Sequence, residues 1–337
     1  MSVTTEHRTG SSRIPGFGAI VGVSVPELEL VEKRLHEVVV SQNDLMQRVS
    51  VHILEGGGKR LRPLLVILAA RLFPSDVRAV VEVATASELI HMASLIHDDI
   101  IDGSDCRHKK PSLNSRWGNH LSVLFGDHLF AAAFRLLAGI GKKPRVISVM
   151  AKAVSCMCEG EFEQMSYSND YDQSEGDYLR RIRLKTAELI AASCVSGALL
   201  SEMPEELVTS LYEYGICLGC AFQIVDDVLD FTSDPSVLGK PTGSDLKCGT
   251  VTLPLLNSLT HPVYGQRIRE MLRRQPLDEA TIRAVSEAVK AAGGVNYAHE
   301  KASAFIDRAK RILMAFPKTP PRTALEGIAD YVLTRAY

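Results

Sequence analysis

The sequence predicts an all-α protein: a single-domain bundle of a dozen or so helices around a central cavity. Three observations lead there. Apolar residues recur at helical spacing along most of the 337 residues, and strand-type alternation is absent over any useful length. The hydrophobic share of 46% fills a sizeable core. Length alone suggests about two domains, but no linker-like change of composition divides the chain. The expected organisation is therefore a mobile segment, residues 1–23, followed by one domain, residues 24–337.

Residues 1–23 are Gly/Ser-rich and lack a periodic apolar face, which predicts mobility. From Pro26 to about Leu54 an amphipathic helix is expected, with proline near its first turn. A glycine turn, Gly56-Gly57-Gly58, then runs into Lys59, Arg60 and Arg62, and an almost wholly apolar helix follows over Pro63–Phe73. Residues 78–102 read as a buried helix stopped by Gly103. Residues 103–117 read as a charged loop with Pro111 as a breaker. Helices are expected at 119–139 and 145–166, then a polar loop, Ser166–Asp177. A long helix from Tyr178 to Ser201 carries Arg180, Arg181, Arg183 and Lys185. Another spans 205–231, a polar loop Ser233–Thr250 follows, and a helix resumes over Thr252–Leu259. Amphipathic helices with short Pro/Gly turns complete the chain.

The net charge of −2 gives no reason to expect nucleic acid or an acidic membrane surface as a partner. Seven scattered cysteines include a lone pair, Cys217 and Cys220, with no second pair and no nearby histidine. Core packing in a reduced, cytoplasmic compartment is the expectation. No signal peptide is visible, and no apolar run reaches the roughly 18 to 20 residues that span a bilayer.

The chemistry concentrates at two helix ends. The helix over 78–102 closes with Asp98, Asp99 and Asp102, and the one over 205–231 closes with Asp226, Asp227 and Asp230. Residues i and i+4 share a helix face, with i+1 close beside them. Carboxylates this close repel each other and add to the negative end of the helix dipole. One such triad reads equally well as a solvated helix end. Two, each rooted in apolar sequence, call for cations, because buried charge must be paired or metal-bound. Hard oxygen ligands favour Mg²⁺, completed by water and a substrate phosphate. Lys59 and Arg62 beside the glycines offer cations and open backbone amides suited to a diphosphate. A Walker-type loop is excluded by its missing GxxxxGK[ST] pattern and preceding strand. His91 lies two turns before Asp98; a lone histidine on an apolar helix is ordinarily a satisfied core residue, and only its company argues otherwise.

Over about residues 30–337 the chain resembles the trans-isoprenyl diphosphate synthases, the polyprenyl synthetase family. The resemblance rests on Gly57-Gly58-Lys59-Arg60-Leu61-Arg62-Pro63, on His97-Asp98-Asp99 with Asp102, Arg107 and Pro111, and on Gly126-Asp127. It extends through Gly160-Glu161 with Gln164, Lys185-Thr186, Phe222-Gln223 with Asp226, Asp227 and Asp230, and Gly239-Lys240. The wording around Glu88–His97 and Gly243–Pro254 is most similar to the catalytic component of heptaprenyl diphosphate synthases, some of which need a small regulatory subunit. The resemblance implies that Mg²⁺, held by Asp98, Asp102 and Asp226 within the two triads, bridges the protein to an allylic diphosphate (farnesyl or geranyl). Arg107, Lys185 and Lys240 would hold the same group, while Gln223 and Thr186 would face the allylic cation. Lys59, Arg62 and His91 would bind isopentenyl diphosphate. His108 stands where the family has a second arginine for that substrate, which makes the contact pH-dependent. Thr250 stands where many members have lysine, and no role is carried onto it.

Small residues one turn before Asp98, Ala93 and Ser94, leave room for a growing tail. Each turn adds about 5.4 Å of depth, which suggests a product of about thirty to forty carbons. Menaquinone side-chain supply and a homodimer, or a heterodimer with the small subunit, are the corresponding expectations, with at most peripheral membrane contact for product release. A terpene cyclase is the rival enzyme class. Its second motif requires a hydroxyl residue and a glutamate where this chain has Asp230 and Asp234, and it needs no isopentenyl diphosphate site. A non-catalytic subunit is the rival binding class; such chains usually lose aspartates that are all present here.

Overall fold

The computed structural model describes residues 25–107, 110–141, 143–232, 243–273 and 276–335. The expectations for residues 1–23, His108 and Lys240 fall outside that set. Helix α1 spans Glu27–Val39 and α2 spans Asp44–Glu55. The single helix expected here is therefore two. The β-branched Val38, Val39 and Val40 weaken its end, and Asn43 starts a new helix by accepting bonds from the Leu45 and Met46 amides. Helix α3 is Leu61–Ala70 and α4 is Val77–Ile101, capped at its start by Asp76 and closed by Asp102.

The expected charged loop is partly ordered structure. Strands β1 (Cys106–Arg107) and β2 (Lys110–Pro111) pair antiparallel, and α5 follows over Leu113–Trp117, capped by Ser112. A ladder two residues long is too short to show as alternation in sequence. Helices α6 (Asn119–Gly139) and α7 (Pro144–Ser166) lie where the periodicity places them.

The helix expected over Tyr178–Ser201 begins earlier and is interrupted. Ser174 and Asp177 form a capping box for α8 (Glu175–Ile182); one π-helical stretch, Arg183–Ala187, intervenes before α9 (Glu188–Leu200). Helix α10 is Glu205–Thr232, and the short α11 is Ser244–Lys247. The rest of the bundle is α12 (Leu253–Leu259), α13 (Tyr264–Leu272), α14 (Glu279–Ala291), α15 (Gly294–Leu313) and α16 (Pro320–Thr334).

Helix α10 runs against α15 and α9, while α4 runs against α6, α3 and α1. Helices α3 and α9 form the wall between these two halves and feed the core on both sides. Leu64, Leu65 and Leu68 of α3 pack into the α10 half, and Val66, Ile67 and Ala70 into the α4 half. Each fully buried leucine or isoleucine contributes about 1.5–3 kcal/mol, so this doubly used wall holds the ends of α4 and α10 in a fixed relation. By length and composition α4, α6 and α10 could each cross a membrane, which corrects the reading from uninterrupted apolar runs. The most apolar stretches of α4 and α10 are 72% and 67% buried in the bundle; that of α6 is 44% buried.

Candidate active site

Both acidic helix ends open on one cleft of about 170 Å³. Asp102 reaches it from α4 and Asp227 from α10, and Lys185, Thr186, Gln223 and Arg181 line the space with them. The juxtaposition that the paired triads require is therefore present.

The first triad divides its labour. Asp99, at 3% exposure, turns from the cleft and accepts two bonds at 2.9 Å from Arg107 Nε and one at 2.7 Å from Nη2. The β1–β2 hairpin carries Arg107 back onto the helix it follows. In this arrangement the guanidinium expected at a substrate diphosphate serves Asp99. Asp98 is half-buried; desolvation, reinforced by Glu161 and Asp102, lifts its carboxyl to about 6 against the pull of Lys185 and Arg107. Lys185 Nζ meets Glu161 at 2.5 Å. Burial would lower the lysine's pKa, but Asp98, Glu161 and Asp102 outweigh it and the net shift is upward.

The second triad is held by its neighbours. Asp227, 3% exposed, accepts from the Tyr178 hydroxyl at 2.6 Å and from Gln223 Nε2 at 2.9 Å, and Thr186 Oγ1 donates to Gln223 Oε1 at 2.8 Å. Burial raises the Asp227 carboxyl and pushes the Tyr178 hydroxyl well above its usual range. Asp226 pairs at 2.6 Å with Nη2 of Arg335, whose side chain is 1% exposed and stacks over Phe222. Asp230 does not line the cleft but holds two residues that do, Ser244 and Asp245. It accepts from the Ser244 hydroxyl (2.8 Å) and from the Ser244 and Asp245 amides (both 3.2 Å), capping α11.

The cations of the glycine turn split as well. Lys59 is exposed, its Nζ 5.5 Å from the centre of the Tyr331 ring. Arg62 sits between the fields of Glu88 on α4 and Asp226 on α10, and desolvation draws its pKa down to about 10. Its Nε is fully enclosed with no hydrogen-bond partner among the described residues. Such an orphaned donor on a charged group fits an incoming anion. His91 is half-buried on α4. Ser94 is half-buried and donates to the His91 carbonyl, whereas Ala93 is wholly buried in the core beside α6; neither lines the cleft.

Tyr178, Arg181 and Arg335 carry structural weight that sequence reasoning did not assign. For the first two a signal existed: they lie three apart on one helix turn preceding Lys185. Arg335 gave none, since its partner comes from a distant part of the chain.

No group of three or more acidic, histidine or cysteine side chains forms a closed metal cage among the described residues. A hard divalent cation still fits. Mg²⁺ ordinarily takes one or two carboxylates and draws the rest of its shell from water and phosphate. Asp98 and Asp102 at the end of α4 and Asp226 near the end of α10 have that donor chemistry; of these three, Asp102 lines the cleft, and the Asp98 carboxyl is raised first by its burial, with Glu161 and Asp102 adding to it.

The fold and the two facing acidic ends define a helical transferase of prenyl groups, and the chain belongs to the polyprenyl synthetase family, whose model matches residues 43–289. It is 40% identical over 313 residues to the heptaprenyl diphosphate synthase component 2 of Geobacillus stearothermophilus, covering 92% of this chain and 96% of that one. The octaprenyl diphosphate synthase of Escherichia coli is 39% identical over 308 residues, 90% of this chain and 94% of its own. A polyprenyl synthase of Caulobacter crescentus, solved with calcium and isoprenyl diphosphate, superposes with a TM-score of 0.89 at 34% identity, covering 95% of this chain and 98% of that one.

Proposed function

We propose that this enzyme condenses an allylic diphosphate, farnesyl or geranyl, with isopentenyl diphosphate to give an all-trans polyprenyl diphosphate of about thirty to forty carbons, the tail length argued from helical rise. The observation that carries the reading is the shared cleft of Asp102 and Asp227, with Lys185, Thr186 and Gln223 between them.

Asp98, Asp102 and Asp226 would hold Mg²⁺, which when bound supplies Lewis-acid neutralisation of a diphosphate leaving group. Lys185 adds a fixed cation at the same wall, worth most in a site that excludes water. The C–O bond of the allylic substrate breaks and its electron pair leaves with pyrophosphate. The Thr186 and Gln223 oxygens face the resulting allylic cation, and the hydrogen bond between them fixes their direction. Lys59 and Arg62 hold the second diphosphate so that its double bond attacks the cation. A proton then leaves, with departing pyrophosphate as its acceptor. No protein nucleophile takes part. Quinone side-chain supply, a cytoplasmic location and a dimeric state belong to this reading as expectations of the same kind.

The test is the purified chain with farnesyl diphosphate, isopentenyl diphosphate and Mg²⁺, with product mass recorded. Products near C35 support the reading; a dominant C15 species, or cyclised hydrocarbon from farnesyl diphosphate alone, overturns it. Asp98→Ala and Asp226→Ala should each lower turnover by about 10²–10³-fold or more, the scale of a lost transition-state stabiliser. A second reading is favoured by the "component 2" in the name of the Geobacillus relative: the chain alone turns over slowly until a small partner subunit joins it. Activity of the isolated chain decides between them.

A further inference from the structure

The glycine turn carries three cations, and the proposed function uses only two of them. Arg60, between Lys59 and Arg62, points the other way. Its backbone is left-handed, with φ 50°, unusual for a residue bearing a side chain. Its guanidinium is used up inside the protein: Nε donates to Glu32 Oε1 at 2.5 Å and Nη2 to Glu32 Oε2 at 3.3 Å, while Nη1 donates to Glu88 Oε1 at 2.9 Å and to the Gly57 carbonyl at 3.2 Å. Glu88 is 3% exposed on α4, Glu32 lies on α1, and the arginine side chain is 10% exposed.

The two glycines make this clamp possible. Gly57 and Gly58 have φ of 66° and 149°, and a Cβ on Gly58 would come within 3.0 Å of Arg60 Nη1. The turn thus lies directly on the ion pair beneath it. A buried glutamate left alone is costly, and so is a buried guanidinium. Each therefore holds the other in one place, and the second carboxylate on α1 fixes the plane of the fork.

We propose that Arg60 and Glu88 are positioning residues for the isopentenyl diphosphate end of the cavity, pinning the turn to α4 and α1 so that Lys59 and Arg62 on either side stay aimed at the incoming diphosphate. The proposal rests on the placement of that substrate at Lys59 and Arg62. It makes Arg60 a residue that never touches substrate yet sets the affinity for one of the two. Glu88 also lies in the field of Arg62, so one buried carboxylate steadies both arginines of the turn.

The experiment measures the calorimetric Kd for isopentenyl diphosphate alone, and KM for each substrate, in Glu88→Gln, Arg60→Lys, Glu32→Gln, Lys59→Ala and Glu82→Gln. Glu82 also joins α4 to α1, through Arg34 at 3.1 Å, but does not reach the turn. Glu88→Gln and Arg60→Lys should raise Kd and KM for isopentenyl diphosphate about tenfold, the scale of one lost charged hydrogen bond. The KM for the allylic substrate should stay within about twofold, and Glu82→Gln should leave both substrates unaffected. Should Glu88→Gln fail to fold, Glu32→Gln, whose carboxylate is 43% exposed, decides in the same direction with a smaller shift. If Lys59→Ala leaves isopentenyl diphosphate binding intact, the substrate placement is wrong and the positioning role falls with it. If Lys59→Ala weakens binding while the Arg60, Glu88 and Glu32 variants do not, the positioning role alone is wrong. An equal effect from Glu82→Gln reduces it to helix packing and also overturns it.

Discussion

Asp98 shows how a single side chain trades stability for readiness. Its pKa of about 6 lies above the ordinary 3.8, so the folded metal-free protein holds this proton more tightly than the unfolded chain does. Stability is therefore lost as pH rises from about 4 to about 6 and is not regained above it. Asp98→Asn should raise the metal-free Tm near neutral pH and flatten its pH dependence over that window. A divalent cation that binds the native state should raise the wild-type Tm more at about pH 7.5 than at about pH 5, where a proton occupies the carboxylate. The variant should lose most of that response. Thermal unfolding across pH, with and without Mg²⁺, checks both signs; an Asp98→Asn protein less stable than wild type at neutral pH contradicts the argument.

Among the elements, the π-helical stretch Arg183–Ala187 is the one that most directly builds the site, because it carries Lys185 and Thr186. Its neighbour explains its position. A Cβ on Gly160 would lie 2.6 Å from the Lys185 amide nitrogen, so α7 approaches this backbone more closely than any other residue allows. Gly160→Ala should cost about 1–3 kcal/mol of stability by overpacking and lower kcat by moving Lys185. Gly139→Ala, with open space around it in the last turn of α6, should be neutral or slightly stabilising. Unfolding curves and turnover of the pair provide the measurement. This also marks the limit of what sequence could tell. The limits of α6 and α7 were legible because periodicity determines them, with Gly118 before α6 and Pro144 opening α7. The interruption before α9 was not, because it answers a glycine on another helix. The start of α2 was within reach: Asn43 followed by Asp44 is a cap signal that the long apolar pattern obscured. The six aspartates were legible as a set, yet their separate partners were not, since Arg107, Tyr178 and Arg335 meet them only through the fold.

For the whole molecule, the question is where a lengthening tail goes. The two halves of the bundle share α3 and α9, so the cleft cannot widen by moving one half without disturbing a common wall. Ala93 lies outside the cleft, wholly buried in the core that also holds Phe125 and Leu129 of α6. On the proposed reading, a tail passing Asp98 would run between α4 and α6, where Ala93 and Ser94 leave the least material to displace. Ala93→Phe or Ser94→Phe should shorten the product, and Ala93→Phe should also cost about 1–3 kcal/mol by overfilling the core. Product mass and Tm together check this: unchanged length in a folded variant removes α4 from the role of ruler. The seating of Arg335 has a practical consequence of a different kind. Its guanidinium, two residues before the final Tyr337, is wedged against Phe222 and bound to Asp226. A load applied to the backbone just behind Arg335, such as a fused affinity handle, would pull on the residue that pairs with Asp226, so turnover of tagged and untagged preparations should be compared before kinetic constants are interpreted.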